Sequence, residues 1–468
     1  MKRVNHSLQL GAILSVVAVI LSTAGPLQAQ DTWNGESVTL STPSGNWSDG
    51  FNWVSTVAPV SGDSLVFAVP TGTGTRITVN DFAADALTVN GITVNGGAFT
   101  LGGDEILLNG NLANNAGTTT VSMNMVLQQN SDWTLGSVMI LNNTISGNYG
   151  FTKDGSSMLR VGATGFLAYT GDTIINSGTI DMLNNAGMPS GSGKGNLIAN
   201  GDFNLNNVAI SINGLSGSGT ISKNGSGGRT LTLGNNDANG NFTGTFMKNS
   251  GTLSLIKTGA GTQILGGTMN MGAGGTITVN GGALLINGTE TSGGTLTAAS
   301  GGTLGGNGSI TVATGGLKVV SGGTLSPGAA LGTAGLLSLS GGLTLQSGGT
   351  YAVDLFGTGQ GTTYDATLVN LGAISLGSST LALNLGYVPN PGDSFDILAN
   401  TTGSAITGTF NGLAEGSQIV IGSTDLSITY LGGTGHDVVL TVVPEPSTLT
   451  LAGLGLLGAC LLKRRVRK

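Results

Sequence analysis

Chemistry in a protein usually begins with a histidine, a cysteine or a pair of carboxylates, and this chain is poor in all three. Its 468 residues hold two histidines and one cysteine. His6 sits in the N-terminal apolar segment, which leaves His436 as the one imidazole in the body. A Ser or Cys nucleophile generally needs such a base beside it, and one histidine without a cysteine makes no ordinary zinc site. Asp104 and Glu105 are the only adjacent acids. Neighbours on a strand point to opposite faces, so this pair does not converge on a substrate. Asp354, Asp365, Asp393 and Asp396 are scattered among glycine-rich turns and read as solvated residues. Gly191-Ser192-Gly193-Lys194 fails as a phosphate loop, because that loop needs an earlier glycine where Met188 stands and a Ser or Thr where Gly195 stands. The stretch from Gly432 to Leu440 fits one copy of a calcium nonapeptide. A calcium roll shares each ion between tandem copies, so a single copy reads as a glycine turn entering the last strand. The expectation is a chain with no catalytic residue, no cofactor, no metal and no enzymatic activity.

The elements around these residues are dominated by backbone. Glycine supplies 84 residues and charged side chains only 8%, against roughly 25% charge in ordinary domains. Disorder shares this bias but needs fewer hydrophobic residues than the 39% present here. Internal repetition decides for stacked structure. Ile77-Thr78-Val79-Asn80, Leu87-Thr88-Val89-Asn90-Gly91, Ile92-Thr93-Val94-Asn95-Gly96 and Ile277-Thr278-Val279-Asn280-Gly281 are period-2 strands, each ending in a turn residue. Gly-Gly pairs recur as doublets at 274/275 with 281/282, 293/294 with 301/302, 315/316 with 322/323, and 341/342 with 348/349. Their starts advance by 19, 22 and 26 residues, which suits one solenoid coil of about 20 residues. A sandwich of hairpins would also use short strands and glycine turns. Recurrence of like residues at the coil period, asparagine above all, favours stacking.

The two ends differ from the body. Lys2 and Arg3 precede an apolar run from Leu10 to Leu21 and a small-residue exit at Ala29, the pattern of a secretory signal peptide cut after Ala29. At the other end Pro444, Glu445 and Pro446 precede an uncharged stretch from Ser447 to Leu462, then Lys463, Arg464, Arg465, Arg467 and Lys468. Such a basic cluster stays cytoplasmic. The body between, residues 31 to 443, carries nine Lys and Arg against 22 Asp and Glu, a net charge of −13. It lacks the cationic footprint for nucleic acid. Cys460 lies in the terminal apolar stretch, so the body forms no disulfide.

The Pro-Glu-Pro triplet, apolar helix and basic end, in that order over the last 25 residues, resemble the PEP-CTERM sorting signal. The resemblance implies export across an inner membrane and transient anchoring there by the C-terminal helix. It also implies processing by an exosortase-type enzyme and delivery to the cell surface, outer membrane or extracellular matrix, where extracellular polysaccharide is a partner. Three phrases in the body carry a second resemblance: Lys153-Asp154-Gly155, Lys223-Asn224-Gly225 and Lys257-Thr258-Gly259-Ala260-Gly261, each followed by a strand. They are similar to autotransporter-associated β-strand repeats, which implies a right-handed parallel β-helix over residues 68 to 355. Unlike true autotransporters, the chain shows no C-terminal series of amphipathic barrel strands.

The expected architecture is therefore all-β, a solenoid with terminal caps. Residues 1–29 form the signal peptide, 30–67 a cap rich in tryptophan, 68–355 the β-helix, 356–443 a C-terminal β cap, and 444–468 the sorting segment. The expected function is a non-enzymatic structural or adhesive protein of the cell surface or matrix. A β-helix polysaccharide lyase or glycosidase, with carboxylates from different coils meeting in a groove, is the alternative. A calcium-stabilised binding module comes third.

Overall fold

The computed structural model describes residues 29–35, 44–68, 74–84, 87–313 and 315–443. Its unit is a strand of three or four residues that buries alternate side chains. Met125–Leu127, Met139–Leu141, Ile277–Val279, Leu296–Ala298, Leu317–Val319 and Leu343–Leu345 each bury their first and third residues and leave the second half-buried. So short a strand cannot hide its apolar side alone. Each one pairs in parallel with the equivalent strand of the coils before and after it, and the chain becomes a β-solenoid with three faces.

Face I starts at Gln30–Trp33 and ends at Thr380–Leu385; its two ladders are joined by a parallel bridge between Gly217 and Phe242. Face II runs from Ser44–Asn46 to Ser394–Asn400. Face III begins where Thr88 and Val89 pair with Leu107 and Leu108 and ends at Ile374–Ser375. On face III Leu255 pairs with Ile277, Ile277 with Leu296, Leu296 with Leu317 and Leu317 with Leu343. The glycine doublets fall just before the face III and face I strands of each coil, so they mark two of the three corners. At one corner Gly301, Gly322 and Gly348 stack: Gly301 N–H donates to Gly322 O at 2.9 Å and Gly322 N–H to Gly348 O at 2.8 Å. Their φ values of +82°, +79° and +79° lie where a Cβ is strained.

Parallel rungs cross the expected boundaries at residues 67 and 355. Ser64–Phe67 pairs with Gly91–Val94, and Leu336–Ser340 with Ala366–Leu371. Only the last segment changes pattern: Asp437–Val443, Thr424–Gly432 and Gln418–Ile421 add to face II as antiparallel strands. At the other end Trp33, Trp47 and Trp53 are buried around Phe67. Trp33 and Trp53 meet edge to face at 5.2 Å. The indole of Trp47 donates to Thr78 Oγ1 at 3.0 Å, and that of Trp53 to the Trp47 carbonyl at 2.9 Å. Buried in this way, the rings close the first coil and offer no face to a sugar.

The interior is one apolar cluster from Trp33 to Val442, with three lysines inside it. Lys153, Lys223 and Lys257 are fully buried, one on each face. Every Nζ donates to the carbonyl of the glycine two residues on, Gly155, Gly225 or Gly259. Every Nζ also donates to a carbonyl of the next coil: Ser177 at 3.0 Å, Ser250 at 2.9 Å or Gly281 at 3.3 Å. The ammonium thus holds two turns together. Burial pushes Lys153 down to about 8, so the cation is still the main form at neutral pH.

Replacing one of these lysines strands the carbonyls it serves. Lys257→Met should lower the free energy of unfolding in urea by about 1–3 kcal/mol, the cost of buried unpaired acceptors. Lys318→Met, on the outer side of face III, should stay within about 0.5 kcal/mol of the parent chain. Equal effects for both would show that the buried ammonium does not join the turns.

Candidate functional site

The outer surface of face I, over its first rungs, carries a trough of about 540 Å³. Alternation sends Ser64, Thr93 and Asn111 outward from strands whose other residues, such as Leu65, Ile92 and Leu112, fill the core. A second row, Asn90, Asn109 and Gln129, stands at the corner between faces III and I. Asn90 Nδ2 donates to Gly62 O at 2.6 Å, Asn109 Nδ2 to Asn90 Oδ1 at 3.0 Å, and Gln129 Nε2 to Asn109 O at 2.9 Å. Asn111 Oδ1 accepts the Asp132 amide at 2.9 Å. The floor is bare backbone at Gly91 and Gly110; a Cβ at Gly110 would lie 1.8 Å from Asn90 O. None of the lining residues is ionisable. The trough can donate and accept hydrogen bonds along its length.

The titratable residues sit elsewhere and are held by the backbone. Asp104 and Glu105 lie at a turn whose carbonyls both accept from Asn80 Nδ2, at 2.8 and 3.3 Å. The fold does bring Asp354 and Asp365 together, although they lie eleven positions apart in the chain. Asp365 accepts from Gly335 N–H at 2.7 Å and Asp354 N–H at 2.9 Å, and Asn384 Nδ2 donates to Asp354 at 2.7 Å. Burial pushes Asp365 up to about 7 and Asp396 up to about 6. Both oxygens of Asp365 are used on amides, so it fastens the loop between rungs. Asp393 accepts from Asn390 N–H at 2.8 Å and closes its own turn. Asp181 bridges Arg160 Nε at 2.8 Å and Asn204 Nδ2 at 2.7 Å along face II.

In the glycine turn before the last strand, Asp437 accepts from Asn400 N–H at 2.7 Å and is thereby occupied as a clasp between strands. His436 lies in the same turn, its amide bonded to Gly432 O at 3.1 Å. Lys194 donates to Ala168 O at 2.5 Å and Gly191 N–H to Asn213 Oδ1 at 2.8 Å; both pin the loop to neighbouring coils. Among the described residues no three His, Cys, Asp or Glu side chains gather closely enough to hold a metal.

One acid was invisible in the sequence. Thr289-Glu290-Thr291-Ser292 is polar throughout, and it is a rung of face II between Met269 and Ile310. Glu290 points inward, is fully buried, and neither carboxyl oxygen has a hydrogen-bond partner. Burial pushes it from its ordinary 4.5 up to about 8. Of the trough's amides the repeat phrases mark Asn90; Asn109 and Gln129 follow it at nearly the coil period.

The sorting residues Pro444, Glu445, Pro446, Lys463, Arg464, Arg465, Arg467 and Lys468, and the signal peptide up to residue 28, lie outside the described residues. Among the described residues no helix is long and apolar enough to cross a membrane. Residues 442–468 match the family of the PEP-CTERM protein-sorting motif. That motif implies export, processing by an exosortase-type enzyme and a cell-surface or extracellular destination. No curated protein matches the chain.

Glu290 sets a pH dependence whose sign is fixed. Its folded pKa lies above its unfolded value, so the folded chain keeps a proton that the unfolded chain releases. Stability present below pH 4.5 is therefore lost as the pH rises towards 8; Asp365 and Asp396 act in the same direction. Glu290→Gln should raise the unfolding free energy at pH 7 by on the order of 2 kcal/mol, leave it nearly unchanged at pH 4, and flatten the melting temperature across that range. A variant with the parent's slope would show that Glu290 is not buried as a protonated acid.

Proposed function

We propose that this protein is a non-enzymatic structural or adhesive component of the cell surface or extracellular matrix, and that it holds neutral, hydroxyl-rich polysaccharide along face I. The observation that carries the reading is the trough itself. Amides and hydroxyls repeat at the rung spacing, about 4.8 Å, over a bare glycine floor, with no ionisable group in the lining. Such a surface matches the repeated donors and acceptors of a sugar chain and gives it no acid to cleave it. Delivery follows from the sorting signal: transient residence in the inner membrane, removal of the anchor by the exosortase-type enzyme, then release to the surface, the outer membrane or the matrix.

We read the three Lys-x-Gly phrases as autotransporter-associated repeats. Support comes from the common task of the lysines, each tying its own glycine turn to the coil beyond. The rival reading, a β-helix polysaccharide lyase or glycosidase, draws on the pairing of Asp354 with Asp365 and on the raised pKa of Asp365.

Two measurements test the proposal. On a glycan array, Asn109→Ala/Asn111→Ala/Gln129→Ala should lose at least tenfold in affinity for whatever neutral polysaccharide the parent chain retains, at a temperature where circular dichroism shows both chains fully folded. Turnover of that polysaccharide, abolished by Asp365→Asn, would instead establish the enzyme. Replacing Pro444, Glu445 and Pro446 by alanine should leave the full-length chain in the inner-membrane fraction. Undiminished surface delivery of that variant would refute processing at the motif.

A further inference from the structure

A solenoid has two ends, and each face presents an edge of unpaired amides and carbonyls there unless something covers it. Most terminal edges here are covered. At the N-terminal end the segment 52–54 lies across the first strand of face I: Val54 N–H donates to Thr32 O at 2.8 Å and Asn34 N–H to Asn52 O at 2.9 Å. Residues 61–63 cover the first rung of face III, with Gly62 N–H on Thr88 O at 2.8 Å and Asn90 N–H on Asp63 O at 2.8 Å. At the C-terminal end face II continues into the antiparallel strands. Face III is sealed by 407–411, where Thr407 N–H donates to Ile374 O at 2.9 Å and Asn411 N–H to Ser379 O at 2.8 Å.

Among the described residues, the C-terminal edge of face I is not covered in this way. Among the described residues its last strand, Thr380–Leu385, pairs only with Thr350–Leu355. Thr380 N–H donates to Gly349 O and Gly386 N–H to Leu355 O, both at 2.8 Å, so the amides of the even-numbered residues face the previous rung. Those of Leu381, Leu383 and Leu385 point the other way. The strand has no proline and no charge to repel a partner. Its leucines are half-exposed, as are Tyr387 and Leu413 beside them, and all pack against the end of the core without being sealed.

We propose that Thr380–Leu385 is the docking edge for a second copy of this chain, which adds its own Thr380–Leu385 antiparallel to give a two-fold symmetric pair joined at their C-terminal ends. The sequence of the strand argues for its own copy as the occupant. A two-fold axis through Leu383 places Leu381 opposite Leu385 of the second copy, Leu383 opposite its counterpart, and Ala382 opposite Asn384. All three leucines then stay on the core side, and the two unfinished cores merge. A head-to-tail filament is disfavoured because the opposite edge of face I is covered by 52–54. The two-fold arrangement is closed and uses the same surface twice.

The register makes the test specific. Leu383 carries outward-pointing N–H and C=O groups, so it forms a hydrogen-bonded pair with its counterpart, about 5.5 Å apart at Cα, within the range of a disulfide. In the full-length chain in detergent micelles, with Cys460→Ser to remove the native thiol, Leu383→Cys should oxidise to a covalent dimer. Leu381→Cys and Leu385→Cys should cross-link when mixed and far less when alone. Leu383→Pro removes one outward N–H from each copy and should lower the dimer fraction in sedimentation at least tenfold. The proposal is overturned by a monomer at tens of micromolar, by a dimer that survives Leu383→Pro, or by cysteines that cross-link equally at 381, 383 and 385. It is equally overturned if the outward amides resist hydrogen exchange in a monomer, which would mean that the chain's own terminal segment covers the edge.

Discussion

Everything in this molecule depends on backbone pairing between rungs that are individually too short to stand. A three-residue strand buries two side chains and leaves amides and carbonyls open on both edges; only the coils above and below satisfy them. Parallel pairing is therefore both the order of the chain and its limit. It requires corners that turn within a residue or two, which is why Gly301, Gly322 and Gly348 sit one above another with positive φ. It also requires an interior that accepts aliphatic side chains at every level. The buried lysines fit the same logic, because carbonyls at corners that no rung amide can reach are met by an ammonium.

Stacking also decides what the outer surface can be. Like residues come to lie in columns: on face II Thr268, Thr289, Ser309 and Ser338 follow one another, with Asn270, Thr291, Thr311 and Ser340 beside them. Acids are spread too thinly to form such a column, and where two meet, as Asp354 and Asp365 do, backbone amides claim the oxygens of Asp365 and the Asn384 side chain donates to Asp354. The surface is accordingly rich in hydrogen-bonding groups and poor in groups that move protons.

What could be read from the sequence was what repeats. The glycine doublets located corners, and their advance of 19, 22 and 26 residues follows, to within one residue, the pairing of Ile277 with Leu296, Leu296 with Leu317 and Leu317 with Leu343. What could not be read depends on the neighbouring rung. Glu290 looks solvated in its own phrase and becomes a core residue only because Met269 and Ile310 flank it. The Lys-x-Gly phrases were legible as turns, but the inward direction of the lysine is a tertiary fact. The tryptophans show a third kind of gap. Composition set residues 30–67 apart, yet Gln30–Trp33 pairs like any other rung, because a capping function needs a change of side chains and no change of backbone.

Sides and ends of such a rod face different physical demands, and the two proposals divide accordingly. Along the side, rungs repeat, so a ligand with its own repeat finds equivalent hydrogen bonds at each level; weak contacts add without any one group being unique. An active site asks for the opposite, a singular arrangement that breaks the repeat. At the ends the repeat must stop, and stopping leaves unpaired backbone. Tryptophan packing and a crossing segment close the first end, and antiparallel strands close part of the second. Thr380–Leu385 is left with the half-satisfied pairing that every interior rung completes. The interaction that builds each coil upon the last is there without its partner, and a second copy of the same strand restores it.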